Sequence, residues 1–175
     1  KRQTLDWIQA HSYYQRGQLR MDREALPGAA EDFDAAIGIA GRKILKAYQY
    51  RGIVRQRLEQ YDAAMKDYSF LIKHKPRYYD AWHYRGDLHR QLKNYQAAAS
   101  DYRTMTEMRP DDPLAHRKLG RTLMADGQYG PAREALEKSL EVAPADWKWR
   151  KDVRIRLLRL KQREAADAAP DPRAD

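Results

Sequence analysis

The stretch from Ala81 to Pro110 reads AWHYRGDLHRQLKNYQAAASDYRTMTEMRP, and it decides the fold because its pattern is repeated. Moved 34 residues back or forward along the chain, it meets the same order of small, aromatic and proline positions. A constant period of this length is typical of an array of stacked structural repeats. The residues that coincide in three copies are Gly52, Gly86 and Gly120; Tyr61, Tyr95 and Tyr129; Ala64, Ala98 and Ala132; and Pro76, Pro110 and Pro144.

The period and the order of these residues resemble the tetratricopeptide repeat, a helix–turn–helix unit. In the quoted copy the characteristic positions are occupied by Trp82, Gly86, Tyr95, Ala98, Tyr102 and Pro110. The resemblance implies an all-α fold, an α-solenoid in which the first helix of each repeat lines a groove and the second packs behind it. It implies no single function, because one scaffold serves many different partners.

We expect about four such repeats followed by one further helix. The first repeat is degenerate, since Gly17 takes the small position and Gly41 stands where the later repeats have a closing proline. The start of the first helix is placed at 1–9, the repeats at 10–43, 45–78, 79–112 and 113–146, a closing helix at 147–164 and a disordered tail at 165–175.

Composition limits the class of protein. The chain of 175 residues has a formal net charge of +9 and no cysteine, which excludes disulfides and thiolate metal sites. No apolar run reaches the roughly 18 residues that a membrane span needs. We therefore expect a soluble protein of the cytoplasm or periplasm, and the many alanines and arginines suggest a bacterial source. Because the first residue is Lys1, we expect a fragment or a processed chain.

A second periodicity concerns charge. An arginine directly precedes the glycine in the first three repeats, and an aspartate follows it 16 residues later. The fourth repeat lacks both, with Leu119 and Ala135 in the two places. We predict that each arginine pairs with the aspartate of its own repeat and joins the two helices, since breaking such a pair would leave an uncompensated charge. The predicted pairs are Arg16 with Asp32, Arg51 with Asp67, and Arg85 with Asp101.

The sequence carries no signature of an enzyme. It has no glycine-rich phosphate loop, no nucleophile elbow and no metalloprotease helix motif. The five histidines lack ligand spacing within one helix, and no pair of carboxylates is placed for acid–base catalysis. We therefore predict no enzymatic activity, no metal site and no cofactor.

The predicted closing helix is basic and amphipathic. The side expected to cover the last repeat carries Trp149, Val153, Leu157 and Leu160, and a smaller apolar stripe on the other side consists of Trp147, Ile155 and Leu158. Such a run of charge is either a solvated face or a binding surface for anions. Its cations are Lys148, Arg150, Lys151, Arg154, Arg156, Arg159, Lys161 and Arg163.

The resemblance also implies which positions of the first helices face the groove. Tyr50 and Tyr84 share one of these positions in successive repeats, and tyrosine offers a large contact area with little rotamer entropy to lose. The alternative is that these tyrosines only pack on neighbouring helices. The implied partner-binding positions are His11, Tyr14 and Gln18; Gln49, Tyr50, Ile53 and Gln56; His83, Tyr84, Asp87 and Arg90; and Arg117, Lys118 and Arg121.

One known use of the scaffold can be excluded from these positions. Some tetratricopeptide domains hold the C-terminal carboxylate of a chaperone tail with lysine and asparagine at fixed groove positions. Neither alignment of this chain with that pattern supplies the set: one gives Tyr14, Gln18, Tyr50, Asp80 and Tyr84, and the other gives Gln49, Ile53, Tyr84, Leu114 and Lys118. We therefore predict no carboxylate clamp of this kind.

Three interpretations of function remain. The first is a non-catalytic adaptor that binds a peptide or protein partner in the groove and helps to assemble a larger complex. The groove becomes more basic toward its C-terminal end, which favours a partner with an acidic segment. The second is binding of nucleic acid or anionic lipid through the closing helix. The third is self-association through the termini, near Trp7 and Ile8 or near Trp147.

Overall fold

The computed structural model describes residues 2–167, and this part of the chain is a succession of helices without strands. The helices are α1 (Arg2–Asp22), α2 (Leu26–Ala40), a short 3₁₀ helix (Gly41–Ile44), α3 (Leu45–Arg57), α4 (Tyr61–His74), α5 (Tyr79–Gln91), α6 (Tyr95–Met108), α7 (Pro113–Ala125), α8 (Tyr129–Val142) and α9 (Arg150–Asp167). None of these helices combines the length and apolar character that crossing a membrane would require.

Contacts divide the chain into two compact units, and the division falls inside α5, after Leu88. In the first unit α1 packs on α2, α2 on α3, and α3 on α4. In the second unit α6 packs on α7, α7 on α8, and α8 on α9. This order, in which each helix packs on the next along the chain, is that of an α-solenoid.

The turn inside each helix pair has one residue in the left-handed region. The residue that follows it donates its N–H to a carbonyl five positions earlier, at 2.8–2.9 Å, and so closes the end of the first helix. Only glycine adopts this conformation without a steric cost, so three of the four turns hold a strained residue. The left-handed residues are Glu24 (φ 59°), Glu59 (φ 59°), Lys93 (φ 61°) and Gly127 (φ 79°).

The two helices of a repeat approach closely at the glycine of the first helix. Phe33, Tyr68 and Leu136 of the second helices are fully buried against these glycines. A Cβ added at Gly17 would lie 2.8 Å from Phe33 Cε1, one at Gly52 would lie 2.5 Å from Tyr68 Cε1, and one at Gly120 would lie 2.6 Å from Leu136 Cγ. Repeated small and large partners at these positions therefore set the spacing of the helix pairs.

Two glycine-to-alanine substitutions in the first unit are expected to change stability in opposite directions. Gly52→Ala forces a methyl group against the buried Tyr68 ring, and we expect a loss of about 1–3 kcal/mol. Gly38→Ala in α2 meets nothing within 4 Å, and we expect a gain of about 0.5 kcal/mol from the lower backbone entropy of the unfolded chain. Urea unfolding of both variants measures the difference, and a higher midpoint for Gly52→Ala would contradict the close packing.

The closing helix begins later and ends later than predicted. Residues 147–149 precede the helix: the Trp147 N–H donates to the Pro144 carbonyl at 3.1 Å, and residues 148 and 149 form a turn in which the Arg150 N–H donates to the Trp147 carbonyl at 3.0 Å. We predicted that Trp147 shares a helical stripe with Ile155 and Leu158. This prediction is wrong, because Trp147 lies before the start of α9. Residues 165–167, predicted as part of a disordered tail, form the end of α9. The remainder of that predicted tail lies outside the described residues.

The apolar side of α9 is partly buried. Val153 and Leu160 are fully buried, and Trp149 and Leu157 are half-buried. Because α9 packs on α8, this side covers the helix of the last repeat. Ile155 and Leu158, by contrast, leave about half of their surface exposed.

Candidate interaction surfaces

Arginine and aspartate side chains join the two helices of the first repeat. Arg16 on α1 donates from Nε and Nη2 to both carboxylate oxygens of Asp32 on α2, at 2.6–3.1 Å. Arg20, one turn further along α1, contributes a second cation, with its Nη1 atom 3.0 Å from Asp32 Oδ2. Asp32 is buried, so the two guanidiniums supply the charge and hydrogen bonds that its carboxylate needs.

The second repeat extends the same arrangement to its neighbour. Arg51 on α3 donates to Asp67 on α4 at 2.5 and 3.0 Å, and Arg55 donates to the same carboxylate at 2.9 Å. Both arginines also reach Asp34 on α2, at 2.6 and 3.1 Å. These four side chains therefore connect three helices, whereas the sequence predicted only the Arg51–Asp67 contact. The role of Arg85 with Asp101 stays a prediction; Asp101 is buried.

Aromatic rings line the first helices of the first unit. The centroid of the Tyr50 ring lies 5.8 Å from that of the Tyr14 ring, and Tyr50 is stacked on Phe33 with 5.9 Å between the ring centroids. The Tyr84 ring is stacked between Tyr68, at 5.8 Å, and His83, at 5.1 Å. Tyr50 is stacked on one ring and makes an edge contact with another, and Tyr84 is stacked on two, so both have little freedom to rotate; aromatic pairs at such distances attract each other.

Hydrogen bonds fix the hydroxyl groups of Tyr14 and Tyr84 and of the neighbouring Tyr78. The Tyr78 hydroxyl donates to Gln49 Oε1, and Gln49 also hydrogen-bonds Tyr84. The Tyr14 hydroxyl donates to the Tyr50 hydroxyl. Burial raises the pKa of Tyr14 and that of Tyr78 to about 12, so both hydroxyls stay protonated at neutral pH and remain donors.

We call the surface that these helices leave accessible in the first unit the tyrosine surface. The half-buried side chains Tyr50 and Tyr84 are its largest members. His83 Nε2 lies 3.1 Å from Asp87 Oδ2, and Gln56 accepts from the Tyr68 hydroxyl at 3.1 Å, so polar groups border the rings. Its further members are Gln18, Ile53, Gln56, His83 and Asp87, which are half-buried, and His11, which is exposed.

The second unit has a cluster of arginines on α5, α7 and α9. Arg117 on α7 donates from Nε to Asp152 Oδ2 at 2.9 Å, and its guanidinium lies 3.9 Å from the centre of the Trp149 ring. Arg156, one turn after Asp152 on α9, donates to both of its carboxylate oxygens, at 2.9 and 3.2 Å. We call Arg90, Arg117, Arg121 and Arg156 the arginine cluster.

Positive charge exceeds negative charge in the arginine cluster. Burial lowers the pKa of the Arg121 guanidinium below its usual value, and repulsion from the other three arginines lowers it further. Burial also lowers the pKa of Arg117, although hydrogen bonding to Asp152 opposes this. Burial alone would raise the pKa of the Asp152 carboxyl, but its hydrogen bonds with Arg156 and Arg117 outweigh this and lower it. The cluster thus favours additional negative charge.

Comparison with models of protein families identifies the family of this chain. One family model described as tetratricopeptide repeat matches residues 51–113, and a second with the same description matches residues 89–151. Together the two matches cover more than half of the sequence. The chain belongs to the tetratricopeptide repeat family. The comparison with curated protein sequences found no match.

Solved structures similar to this tetratricopeptide repeat protein share its fold. MamA 41-end from Desulfovibrio magneticus RS-1 has a TM-score of 0.73 and 19% identity, over 92% of this chain and 98% of the MamA chain. YrrB, described as a TPR protein with an unusual peptide-binding site, has a TM-score of 0.70 and 22% identity, over 87% and 74%. The first TPR of Spaghetti (RPAP3), bound to the HSP90 peptide SRMEEVD, has a TM-score of 0.62 and 19% identity, over 70% and 94%.

The tetratricopeptide fold buries three of the residues that we predicted to contact a partner. Tyr14 and Gln49 are held inside the first unit by the ring contacts and hydrogen bonds described above. Arg117 is held in the second unit by Asp152 and Trp149. Their side chains therefore support the surfaces rather than form them. In the second unit Arg90 is exposed, and Lys118 and Arg121 are half-buried.

The cations of the closing helix differ in their surroundings. Arg150 donates to the carbonyls of Pro144 at 2.9 Å and Ala143 at 2.6 Å, and so satisfies acceptors just beyond the end of α8. Arg156 is occupied by Asp152. These two were predicted as basic surface, but they have partners inside the unit. The exposed cations are Lys148, Lys151, Arg154, Arg159, Lys161 and Arg163; of these, Arg163 lies over the Tyr129 ring at 4.4 Å and Lys148 over the Trp149 ring at 5.3 Å.

Within residues 2–167, no three histidine, aspartate or glutamate side chains are grouped so that they could hold a metal ion. Two of the buried carboxylates, Asp32 and Asp67, accept hydrogen bonds from arginines.

Proposed function

We propose that this tetratricopeptide repeat protein is a non-catalytic scaffold that binds a segment of a protein partner on the tyrosine surface. The observation that carries the proposal is the state of Tyr50 and Tyr84, which are half-buried and fixed by neighbouring rings and hydrogen bonds. A fixed aromatic side chain loses little entropy when it is covered by a partner. Aromatic anchors of this kind contribute much of the binding energy in protein interfaces.

The polar neighbours suit a peptide backbone as ligand. Gln18 and His83 are half-buried polar side chains of this surface, and backbone N–H and C=O groups of an extended or helical segment need such partners when they lose water. Among the similar structures, one is described as bound to a peptide and one as having a peptide-binding site. These descriptions support a peptide or protein as the partner class here.

Replacement of both tyrosines is expected to abolish capture of the partner. In affinity capture from extract of the source cells, we expect Tyr50→Ala with Tyr84→Ala to reduce recovery of the partner about tenfold or more, as loss of interface anchors does. Quantitative mass spectrometry of the captured proteins measures this. Far-UV circular dichroism of the bait verifies that the variant is folded.

Tyr48→Ala is the matched control, because Tyr48 lies on the same helix, is also half-buried, and stacks on Phe70 at 4.2 Å instead of on the tyrosine surface. We expect this variant to capture the partner as the unchanged protein does. Equal loss in the control and in the double variant would mean that Tyr50 and Tyr84 serve packing only, and the proposal would be wrong.

A second function is favoured by the exposed cations of α9, which would attract nucleic acid or anionic lipid. The same capture experiment separates it from the first. Binding to nucleic acid is removed by nuclease and weakens steeply with salt, because phosphate contacts release counterions. Contacts to aromatic rings depend much less on salt. Self-association remains a third prediction, and the side chains available for it include Leu5, Trp7 and Ile8 on α1, which are exposed.

A further inference from the structure

We propose that the arginine cluster of the second unit binds the side-chain carboxylates of an acidic segment in a protein partner. The inference rests on the proposed function for the class of ligand, a protein segment, but it concerns a different surface. The two proposals can therefore fail separately. The cluster consists of Arg90, Arg117, Arg121 and Arg156, with Asp152 as the carboxylate at its centre.

The first argument is the number of charges. Asp152 already accepts from Arg117 through Oδ2 and from Arg156 through both oxygens. Within the described part of the chain, no carboxylate lies at ion-pair distance from Arg121 or Arg90. The cluster therefore lacks negative charge, and a carboxylate that enters it gains attraction from several cations at once.

The second argument is that the cluster is already ordered before a ligand arrives. Arg117 is nearly fully buried between Asp152 and the face of Trp149, and Asp152 is fixed in turn by Arg156. Arg121 follows Arg117 by one helical turn, so its guanidinium lies on the same side of α7. A guanidinium binds a carboxylate through two parallel N–H groups, which gives direction as well as strength.

The third argument concerns the kind of anion. Bases of a single-stranded nucleic acid need accessible aromatic faces on which to stack. At this site the face of Trp149 is covered by Arg117. A small group of guanidiniums around a central carboxylate also differs from the extended row of cations that a phosphate backbone follows. Carboxylates of a short acidic segment therefore fit the cluster better than nucleic acid does.

The test is a direct titration of the full chain with a fluorescein-labelled peptide of eight glutamates, followed by fluorescence anisotropy at about 0.15 M salt. We expect Arg121→Gln to weaken binding about tenfold, because it removes one charge-assisted bidentate contact. Arg121→Lys is expected to restore part of the affinity, since it keeps the charge but loses the fork. Because Arg121 has no carboxylate partner in the described structure, its substitution should leave the fold intact, as circular dichroism would verify.

Arg154→Gln is the matched control, since it removes the same charge from an exposed position of α9 about 200° around the helix from Asp152. We expect it to change affinity less than twofold. An equal loss for Arg154→Gln and Arg121→Gln would reduce the effect to overall charge and overturn the proposal. So would a peptide that does not bind, or an oligothymidylate that binds more tightly through the same arginines.

The variant with both Tyr50→Ala and Tyr84→Ala separates this proposal from the proposed function. We expect that variant to bind the glutamate peptide as the unchanged protein does. Loss of peptide binding in it would assign the acidic ligand to the tyrosine surface and overturn the arginine cluster as its site. Failure of the capture experiment alone leaves this direct titration unaffected.

Discussion

Asp67→Asn is expected to lower the free energy of unfolding by about 3–5 kcal/mol, the range seen when one partner of a buried ion pair is removed. The Asp67 side chain is 3% exposed and receives hydrogen bonds from Arg51 and Arg55, which are 13% and 20% exposed. Asparagine keeps the size of the side chain but removes the buried anion that the two poorly hydrated cations share, and leaves them only the half-exposed Asp34. The loss therefore comes mainly from the cations that remain.

Asp34→Asn provides a control that involves the same two arginines. Asp34 also pairs with Arg51 and Arg55, but its side chain is 51% exposed, so water can replace it. We expect a loss of about 1 kcal/mol or less, as for surface pairs. Equilibrium urea unfolding of both variants measures the contrast. Similar losses for the two would show that burial does not determine the strength of this network.

Tyr68→Ala is expected to cost about 3–5 kcal/mol, the range for removal of a buried aromatic ring. The Tyr68 ring is fully buried, rests against the backbone at Gly52, and is stacked on Tyr84. Because the glycine has no side chain, Gly52 itself cannot fill the cavity that the ring leaves. The surrounding residues Ala64 and Leu88 belong to the same core cluster and would lose contacts as well.

Tyr68→Phe isolates the contribution of the ring from that of its hydroxyl. The hydroxyl donates to Gln56 at 3.1 Å, and loss of one such bond costs about 1 kcal/mol. Thermal or urea unfolding would compare the two variants. If Tyr68→Phe destabilised the protein as much as Tyr68→Ala, the hydrogen bond rather than the packing of the ring would be the main contribution of this residue.

The features that repeat along the chain could be predicted from the sequence. The column of glycines recurs in the sequence, and in the structure Gly52 lies where two helices approach closely, against the Tyr68 ring. The spacing of 16 residues between Arg16 and Asp32 brings the two side chains together because it spans one helix pair. Each of these contacts lies within one repeat, so a single sequence period contains all the information that it needs.

Three members of the charge network, Arg20, Arg55 and Asp34, were not predicted, although the sequence contains a signal for the two arginines. Arg20 and Arg55 each lie four residues after the arginine that we singled out, and so one helical turn along the same face. Asp34 has no equivalent in the later repeats, where Ser69 and Arg103 take its place, and periodicity therefore says nothing about it. Its contact with Arg51 joins neighbouring repeats, a relation that depends on how they stack.

The sequence could not predict which groove positions are accessible, because their accessibility also depends on residues outside the repeat itself. Gln49 is buried because Tyr78, a residue of the connection between α4 and α5, reaches its side chain. Arg117 is buried because the closing helix supplies Asp152, 35 residues further along the chain. A family resemblance assigns positions to a face of a helix. It does not include the irregular connections and terminal helices that cover part of that face in an individual protein.

The left-handed turn residues show that residue type alone is a poor predictor of this backbone conformation. Gly127 is the residue type that such a turn favours, and it marks the turn of the last repeat. At the equivalent places Glu24, Glu59 and Lys93 adopt the same conformation without that signal. The hydrogen bonds that close the preceding helices offset the steric cost, and these bonds follow from the fold as a whole.

In the fourth repeat, apolar residues take the positions of the arginine–aspartate pair, and the same residues could be introduced into the other repeats. Leu119 and Ala135 occupy the two positions where earlier repeats have arginine and aspartate, and both are buried. Exchange of a buried ion pair for apolar residues of suitable volume is often neutral or stabilising. Designers of artificial repeat arrays would therefore find two interchangeable connectors in one natural chain. The apolar connector has no charge that salt could screen, whereas the charged connector does.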